Sequence, residues 1–487
     1  MPQAAHTDTS VQVEQLACLC ADMDGTLLET DSLWESLLAL LGTHPWTIFL
    51  IPIWLLRGKA AFKQEIGRRA TLNISTLPLR EDVVEFLRQE KKKGRKLIMA
   101  TAADRSIASA VAQRLGLFDA VLASDGKTNL SNSNKKRAIQ AFLGGKEFDY
   151  AADSKVDLPI WACARTAILV GPTARLLDIA SKQLRVGTVF ARRKICWSAL
   201  WSALRPKHWV KNLLVFVPLV MAHQVSDHSL LAQAVLAFAS FSLCASGVYV
   251  LNDLLDLESD RLNPSKKTRA FASGAVPLWA GVVLAPALMS AALLVATQLP
   301  RLFLAEIAVY AAATVFYSTY AKRTPMVDVL LLTGLYLLRI LSGGAVTDIP
   351  VSPWLLAFSM FLLLSLAFTK RYTELIKETV EDERPSGSLK RNYLITDADL
   401  IRQFGVASGY ISVLVLALYV NGREVTALYR HPQWIWLACP LLLFWISRVW
   451  FLANRGQLNE DPVLFAVRDS VSYILGLIIL LIIFVAT

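Results

Sequence analysis

The second half of the chain consists mainly of long apolar runs, and this feature limits the possible folds more than any other. Crossing a bilayer takes roughly 17–25 apolar residues. Runs of that kind are predicted at nine places: 209–225, 229–251, 276–297, 302–318, 325–342, 353–369, 404–420, 432–452 and 468–486. The first run is interrupted by Pro218. Because 54% of the 487 residues are hydrophobic and only 18% are charged, the chain is too apolar for an ordinary soluble enzyme.

The charged residues are distributed as in a membrane protein whose N-terminus is cytoplasmic. The first residues, MPQAAHTDTSVQVEQ, do not form the basic and apolar regions of a signal peptide. With the N-terminus inside, the cytoplasmic loops hold fourteen Lys and Arg residues and the opposite loops three. The cytoplasmic loops are then 252–275, 319–324, 370–403 and 453–467. Topology therefore explains the net charge of +11, and we expect no nucleic-acid partner.

An acidic segment follows the second predicted span, and residues 252–274 are NDLLDLESDRLNPSKKTRAFASG. On a helix, Asn252 or Asp253, Asp256 and Asp260 recur at spacings of three and four, so that their side chains project from one face. Carboxylate and amide oxygens suit Mg²⁺, which commonly bridges protein carboxylates and substrate phosphates. The pattern predicts a site where a metal-bound diphosphate becomes a good leaving group.

A basic cluster lies just beyond these carboxylates and could hold the phosphate oxygens that the metal leaves free. Its members are Arg261, Lys266, Lys267 and Arg269. The alternative is a solvated acidic loop whose cations only follow topology. The metal site is favoured because Asn252 and Asp253 lie at the membrane end of an apolar helix, where unpaired charge is costly.

The pattern NDxxDxxxD, followed by the basic segment, resembles the first aspartate motif of the UbiA-type prenyltransferases. The resemblance covers about residues 200–487, and it implies an all-α membrane bundle of about nine helices that uses Mg²⁺ to activate a diphosphate. The family commonly has a second acidic motif, DxxxD, where this chain has TKRYTELIKE with Lys370, Arg371 and Glu374. Such a site suits substrates that carry several phosphates better than a neutral aromatic acceptor.

Four further segments resemble a narrower branch, the polyprenyl-phosphate phosphoribosyltransferases. They are RPKHWVKNLLVFVPL at 205–219, YSTYAKRTPMVDVLLLTGLYLLRILSGG at 317–344, KRYTEL at 370–375 and a DPV-F-A-RD pattern beginning at Asp461. The resemblance implies transfer of 5-phosphoribose from phosphoribosyl diphosphate to polyprenyl phosphate. The substrate-holding or phosphate-holding residues would be Lys211, Asn212, Arg261, Lys266, Lys267, Arg269, Tyr317, Lys322, Lys370, Arg371 and Glu374.

Two charged residues fall inside one predicted span. Asp328 and Arg339 are eleven residues apart, which is three helical turns on the same face. Because charges inside a membrane are usually functional, we expect both to contribute to substrate binding. A structural ion pair between helices is the alternative.

The N-terminal part contains DMDGT directly after a short apolar strand, in LACLCADMDGTLLETDSLWE. This resembles the first motif of the haloacid dehalogenase superfamily, and later segments supply Thr101, Lys135, Asp153 and Asp157 in the family's order. The resemblance implies an α/β Rossmann-like phosphatase. In such an enzyme Asp22 attacks phosphorus and Asp24 acts as acid and base.

Further phosphatase roles follow from the same resemblance. Mg²⁺ would be held by Asp22, the backbone carbonyl of Asp24 and Asp153, while Thr101 and Lys135 grip the phosphoryl group. Ala152 stands where the family often has Gly. The alternative is a degenerate domain kept as a regulatory or structural partner.

The predicted domains are a phosphatase domain at 1–195, with a small helical cap at about 31–90, an interfacial linker helix at 196–208 and a membrane transferase domain at 209–487. Within the cap, WTIFLIPIWLL at 46–56 is too short to span a bilayer, and it is either cap core or a membrane-surface patch.

The sequence favours a bifunctional enzyme that makes polyprenyl-phosphoryl-ribose, with Mg²⁺ in both domains. Its predicted partners are polyprenyl phosphate, phosphoribosyl diphosphate and the membrane. We expect a bacterial inner (cytoplasmic) membrane protein with both active sites on the cytoplasmic side. Two rivals remain open: an aromatic prenyltransferase that uses a polyprenyl diphosphate, and a transporter or lipid scaffold whose aspartates bind a cation.

Overall fold

The computed structural model describes residues 17–125, 128–192, 197–381, 393–422, 429–458 and 461–486. The predicted boundary at residues 195 and 196 and part of the predicted loop 370–403 lie outside these ranges. The chain divides into two compact units. Unit 1 comprises Met1–Leu200 and Asp253–Val282, and unit 2 comprises Trp201–Asn252 and Val283–Thr487.

Unit 1 is built on a parallel β-sheet of six strands in the order β3-β2-β1-β4-β5-β6. The strands are β1 Cys18–Ala21, β2 Leu97–Asp104, β3 Ala120–Ser124, β4 Phe148–Ala152, β5 Thr166–Val170 and β6 Val186–Phe190. The strand order reverses direction between β1 and β4, and a sheet of this kind binds ligands beyond the carboxyl ends of the strands at that point. The fold therefore brings the segments after β1 and β4 to one edge.

Helices cover the sheet of unit 1 and form its cap. They are α1 Ser32–Thr43, α2 Ile51–Leu56, α3 Lys59–Arg69, α4 Glu81–Lys92, α5 Arg105–Leu115, α6 Asn132–Leu143, α7 Leu158–Trp161 and α8 Ala174–Gln183. Both faces of the sheet are buried, which explains the uninterrupted apolar run of β1: Leu19 and Ala21 pack in one core, and Cys20 packs in the other.

Unit 2 is helical, and several of its helices are long and apolar. In the described residues, the remaining α-helices are α9 Trp197–Ala203, α10 Val217–Met221, α11 His228–Leu255, α12 Leu257–Leu262, α13 Leu278–Ala296, α14 Arg301–Thr319, α15 Val327–Thr347, α16 Pro353–Glu381, α17 Ala398–Val420, α18 Ala438–Asn454, α19 Pro462–Ala466 and α20 Ser470–Ala486. Seven helices in the described part of the chain are long and apolar enough to cross a membrane. The protein is therefore a multi-pass membrane protein with an α/β domain at its N-terminus.

The first of the nine predicted spans is not a continuous α-helix. Residues Pro206–Phe216 form a 3-10 helix, and only Val217–Met221 continue as α-helix. Pro218 has no amide hydrogen to donate to the carbonyl of Leu214, so that an unbroken α-helical ladder cannot run through this position. The last predicted span corresponds to α20, an apolar helix of 17 residues that is not among the seven long helices.

The acidic segment differs from the single helical face expected from its spacing. Helix α11 ends at Leu255, and Asp256 has φ −99° and ψ 14°, outside the helix. A new short helix, α12, then begins at Leu257. Asp253 and Asp260 consequently lie on different helices.

Candidate active sites

A tight turn after β1 presents the first carboxylates of unit 1. Asp22 follows the last residue of the strand, and its Oδ1 accepts a hydrogen bond of 2.8 Å from the amide of Met23. Gly25 has φ +72°, and a Cβ atom at this position would lie 2.4 Å from Oδ2 of Asp153. Only glycine fits this turn, because the left-handed conformation and the close approach of Asp153 both exclude a side chain.

Three carboxylates from the β1 and β4 ends form a compact cluster. The ligand oxygens of Asp22, Asp153 and Asp157 lie within 4.8 Å of one another. Burial, together with the carboxylates of Asp22 and Asp157, raises the pKa of Asp153 to about 7. A set of oxygen donors only, with surplus negative charge, fits Mg²⁺.

Lys135 extends from α6 into this carboxylate cluster. Its Nζ lies 2.7 Å from Oδ2 of Asp22 and 3.3 Å from Oδ1 of Asp157. Burial alone would lower the pKa of Lys135, but the two carboxylates raise it above the ordinary value. The ammonium group therefore stays charged beside the nucleophilic position.

Tyr150 also belongs to the site, although no sequence motif predicted it. Its hydroxyl donates to Oδ1 of Asp157 at 3.0 Å and accepts from Lys135 at 3.1 Å. Its position in β4, three residues before Asp153, is the one sequence signal that could have indicated it.

Asp24 is held by Ser32, the first residue of helix α1 in the cap. The amide and the hydroxyl of Ser32 donate to its two carboxylate oxygens at 2.9 and 3.0 Å. Burial and the nearby carboxylate of Asp31 raise the pKa of Asp24 to about 8. A cavity of about 190 Å³ lies here, and its lining includes Asp22, Asp24 and Thr101. The buried Thr101 accepts a hydrogen bond from the amide of Ala103 through its hydroxyl.

Within the acidic segment of unit 1, Arg269 joins two of the predicted metal ligands. Its Nη1 lies 3.1 Å from Oδ1 of Asp253 and 2.7 Å from Oδ2 of Asp260. Asn252 directly precedes Asp253 in the chain, and its buried Oδ1 has no hydrogen-bond partner among the described residues. Because buried polar atoms are normally paired, this oxygen fits a metal ligand. Lys267 is exposed in the loop after α12, and Lys266 is partly buried there.

Arg261 is engaged by the cap of the same unit. Its guanidinium donates to both oxygens of Glu35 on α1, at 3.0 and 2.6 Å, and to the carbonyl of Ala272 at 3.0 Å. The side chains of Arg261 and Glu35 are both buried. In this conformation the guanidinium links the cap to the acidic segment.

Two lysines and one carboxylate form a cluster in unit 2, which we call the lysine pair site; Lys211 and Asp461 are buried and Lys370 is partly exposed. Lys211 and Lys370 approach the same oxygen, Oδ2 of Asp461, at 2.6 and 3.1 Å. Burial alone would raise the pKa of Asp461, but the two ammonium groups hold it well below its usual range. Two ammonium groups and one carboxylate together carry one net positive charge, which suits an anionic ligand. Asp461 was recognised in the DPV pattern but was given no role from sequence.

Arg371 follows Lys370 in the chain but belongs to a different cluster of polar side chains. Its guanidinium donates to Asp328, to Glu374 and, at 2.6 Å, to the hydroxyl of Tyr317. The hydroxyl of Tyr393 donates to the other oxygen of Asp328 at 2.7 Å. Asp328 and Arg371 are fully buried.

Arg339 does not pair with Asp328, although both lie on α15. Its guanidinium donates to Oδ1 of Asn212 and to the hydroxyl of Tyr310, both at 2.7 Å. Asn212 in turn donates to Ser242 at 3.0 Å. Lys322 lies in the 3-10 helix Ala321–Arg323, between α14 and α15.

The chain matches two protein-family models. The model of the UbiA prenyltransferase family matches residues 213–468, and that of the haloacid dehalogenase-like hydrolases matches residues 19–161. An uncharacterized protein of Sinorhizobium fredii, y4nM, is 33% identical over 95% of this chain and 89% of its own length. The decaprenyl-phosphate phosphoribosyltransferase of Mycolicibacterium smegmatis is 30% identical over 58% of this chain and 89% of its own length.

Two further similarities each cover somewhat more than half of the chain. The nodulation protein NoeC of Azorhizobium caulinodans is 35% identical over 58% of this chain and 92% of its own length. Among solved structures, a UbiA homolog from Archaeoglobus fulgidus bound to GPP and Mg²⁺ is 18% identical, with a TM-score of 0.45, over 59% of this chain and 98% of that one.

Proposed function

The chain belongs to the UbiA prenyltransferase family and carries a haloacid dehalogenase-like domain at its N-terminus, and from that premise we propose that it transfers 5-phosphoribose from phosphoribosyl diphosphate to a polyprenyl phosphate. The observation that carries the proposal is the lysine pair site. Lys211 and Lys370 share the single carboxylate of Asp461, so that their direct pairing leaves a net positive charge for a substrate phosphate. Two of the relatives, 30% and 31% identical to this chain, are named decaprenyl-phosphate phosphoribosyltransferases.

The proposed transfer is a substitution at the sugar. An oxygen of the lipid phosphate forms a bond to C1 of the ribose, and the bond from C1 to the diphosphate breaks, so that diphosphate leaves with the electron pair. When bound, Mg²⁺ would neutralise the charge that develops on the diphosphate. Asn252, Asp253, Asp256 and Asp260 would hold it. Lys211 and Lys370 would hold phosphate oxygens, and Lys266, Lys267, Arg269 and Lys322 remain candidates for the same role.

We further propose that unit 1 removes the 5-phosphate from the transferred ribose. Asp22 attacks phosphorus while Asp24, held by Ser32, protonates the departing ribose oxygen. Water activated by Asp24 then splits the aspartyl-phosphate and releases inorganic phosphate. Mg²⁺ would be held there by Asp22, Asp153 and the carbonyl of Asp24. The product is polyprenyl-phosphoryl-ribose, and both sites face the cytoplasm in this proposal.

The transfer step is tested with purified full-length protein, Mg²⁺, polyprenyl phosphate and phosphoribosyl diphosphate labelled in the ribose. We expect label in the lipid fraction. We expect Lys370→Gln to lower the rate about 10- to 100-fold, since a charge-assisted hydrogen bond is lost. The control Arg402→Gln removes a cation whose side chain is 45% exposed and should leave the rate unchanged. Absence of labelled lipid, together with prenylation of an aromatic acid from polyprenyl diphosphate, would instead identify an aromatic prenyltransferase.

A further inference from the structure

The cap of unit 1 has an exposed apolar surface that neither proposed reaction uses. It is formed by residues 45–56, which we call the cap foot. Trp46, Phe49 and Leu56 are 80%, 72% and 89% exposed. Trp54, by contrast, is 4% exposed and packs in the core of the cap. The partly buried Ile51 packs against the same core, so that the segment is anchored through Trp54 and Ile51 while its other large apolar side chains are exposed.

The exposed side chains of the cap foot form one continuous stretch of sequence. Of the eleven large hydrophobic side chains exposed between residues 17 and 192, seven lie in the cap foot. The other four are on separate elements, at Phe142, Val156, Leu177 and Val189. Scattered apolar side chains are ordinary on a protein surface, but a contiguous group marks a surface that contacts something apolar.

The charges around the cap foot indicate what it contacts. From Ser36 to Gln64 the sequence contains no Asp or Glu, and the exposed Arg57 directly follows the foot. Tryptophan at the edge of an apolar segment and an adjacent cation are typical of segments that lie in the interface of a bilayer with anionic lipids. A protein partner would need complementary apolar and acidic groups, whereas a bilayer supplies both.

A contact inside unit 1 brings the residues just before the foot close to the end of α11. Helix α1 precedes the foot, and a Cβ atom at Gly42 in its last turn would lie 3.3 Å from the carbonyl oxygen of Leu255, in the same unit. Leu255 is the last residue of α11, one of the seven helices that are long and apolar enough to cross a membrane. Trp46 is four positions after Gly42 in the chain, a reach of at most about 14 Å.

We propose that the cap foot inserts into the surface of the bilayer that the chain itself crosses, with Trp46, Phe49 and Leu56 among the acyl chains and Arg57 at the anionic headgroups. Helix α1 begins at Ser32, which holds Asp24, and ends at Thr43, just before the foot. The catalytic end of the cap is therefore tied to the lipid surface. This inference concerns lipid contact and holds whatever the chemistry of the two sites.

Photo-crosslinking to lipid tests the proposal on the full-length protein in vesicles of phosphatidylethanolamine and phosphatidylglycerol. The photoreactive residue p-benzoylphenylalanine is placed either at Phe49 or at Phe142, a matched exposed phenylalanine on α6. After irradiation, mass spectrometry counts lipid adducts. We expect at least about tenfold more lipid adduct at position 49 than at position 142, because only the foot enters the bilayer.

A second variant separates lipid insertion from misfolding. Trp46→Glu combined with Leu56→Glu, with the photoreactive residue kept at position 49, should lose most of the lipid adduct. Hydrolysis of p-nitrophenyl phosphate by the same protein should remain, because neither residue contacts the cavity. Equal lipid labelling at positions 49 and 142, or crosslinking from position 49 to a second protein chain instead of lipid, would overturn the proposal.

Discussion

At the residue scale, Gly25 is the position where the geometry of the phosphatase site permits the least change. Its φ is +72°, and a Cβ atom at this position would approach Oδ2 of Asp153 to 2.4 Å. We expect Gly25→Ala to lower phosphate release about 100-fold or more, because it displaces Asp153 from Asp22. Gly94→Ala is the matched control, since Gly94 has φ +83° and open space around it. It should cost about 1–2 kcal/mol of stability without affecting phosphate release. Equal phosphatase activity in the two variants would contradict this account.

The buried pair of Asp328 and Arg371 gives a second prediction at this scale. Asp328→Asn leaves the guanidinium with less compensation, and we expect it to cost about 3–5 kcal/mol of folding stability. Asp399→Asn, at an ion pair whose side chains are 75% and 45% exposed, should cost at most about 1 kcal/mol. Thermal unfolding of the detergent-solubilised protein measures both. The double variant Asp328→Asn with Arg371→Gln should regain part of the loss, and a single-variant effect as small as that of Asp399→Asn would refute the prediction.

The sequence indicated site residues that belong to a recognisable motif, but it could not indicate residues that reach the site only through tertiary contacts. Asp22, Lys135 and Asp157 were selected from motifs, and the fold brings their side chains together. Tyr150 and Asp461 were not assigned roles, because a tyrosine in a strand and an aspartate at a helix start are common for structural reasons alone. Their functions depend on which distant side chains the fold places beside them.

At the element scale, α1 connects the cap to the acidic segment through Glu35 and Arg261. We expect Glu35→Gln to accelerate hydrogen exchange in α12 about tenfold or more, because a buried bidentate pair loses one partner. Glu85→Gln, in an exposed pair with Arg88 on α4, should leave exchange in α12 unchanged. The reversed pair, Glu35→Arg with Arg261→Glu, should restore part of the protection. Unchanged exchange in Glu35→Gln would show that the pair does not fix this contact.

Element boundaries were predictable where a single local rule decides them. The buried strands of unit 1 were visible as short apolar runs before polar motifs, since both faces of the sheet are covered. The 3-10 geometry of the first predicted span was not predictable from hydropathy, which measures length and composition, whereas Pro218 interrupts the helical hydrogen bonds. The end of α11 at Leu255 was also missed, and the spacing of the aspartates suggested that the helix continues.

At the scale of the whole molecule, the two domains combine chemistry that one lipid intermediate would link. Phosphoribosyl transfer leaves a phosphate monoester on the ribose, and the haloacid dehalogenase-like domain contains the carboxylates and the lysine that hydrolysis of such an ester requires. The grouping of Asp253–Val282 with the N-terminal residues shows that the acidic segment packs in the same unit as the phosphatase cavity. Sequence suggested two separate domains at 1–195 and 209–487, and those boundaries stay a prediction.

The most direct test of this account is mass spectrometry of the lipid products made by the full-length protein and by its Asp22→Asn variant. Both receive Mg²⁺, polyprenyl phosphate and phosphoribosyl diphosphate. We predict polyprenyl-phosphoryl-ribose from the unaltered protein and the 5-phosphorylated lipid from Asp22→Asn, because the variant lacks the nucleophile but keeps the transferase. Asp178→Asn, a substitution of an exposed residue on α8, should give the same product as the unaltered protein. An identical ratio of phosphorylated to dephosphorylated lipid in all three proteins, or no pentosyl lipid in any of them, would contradict the account.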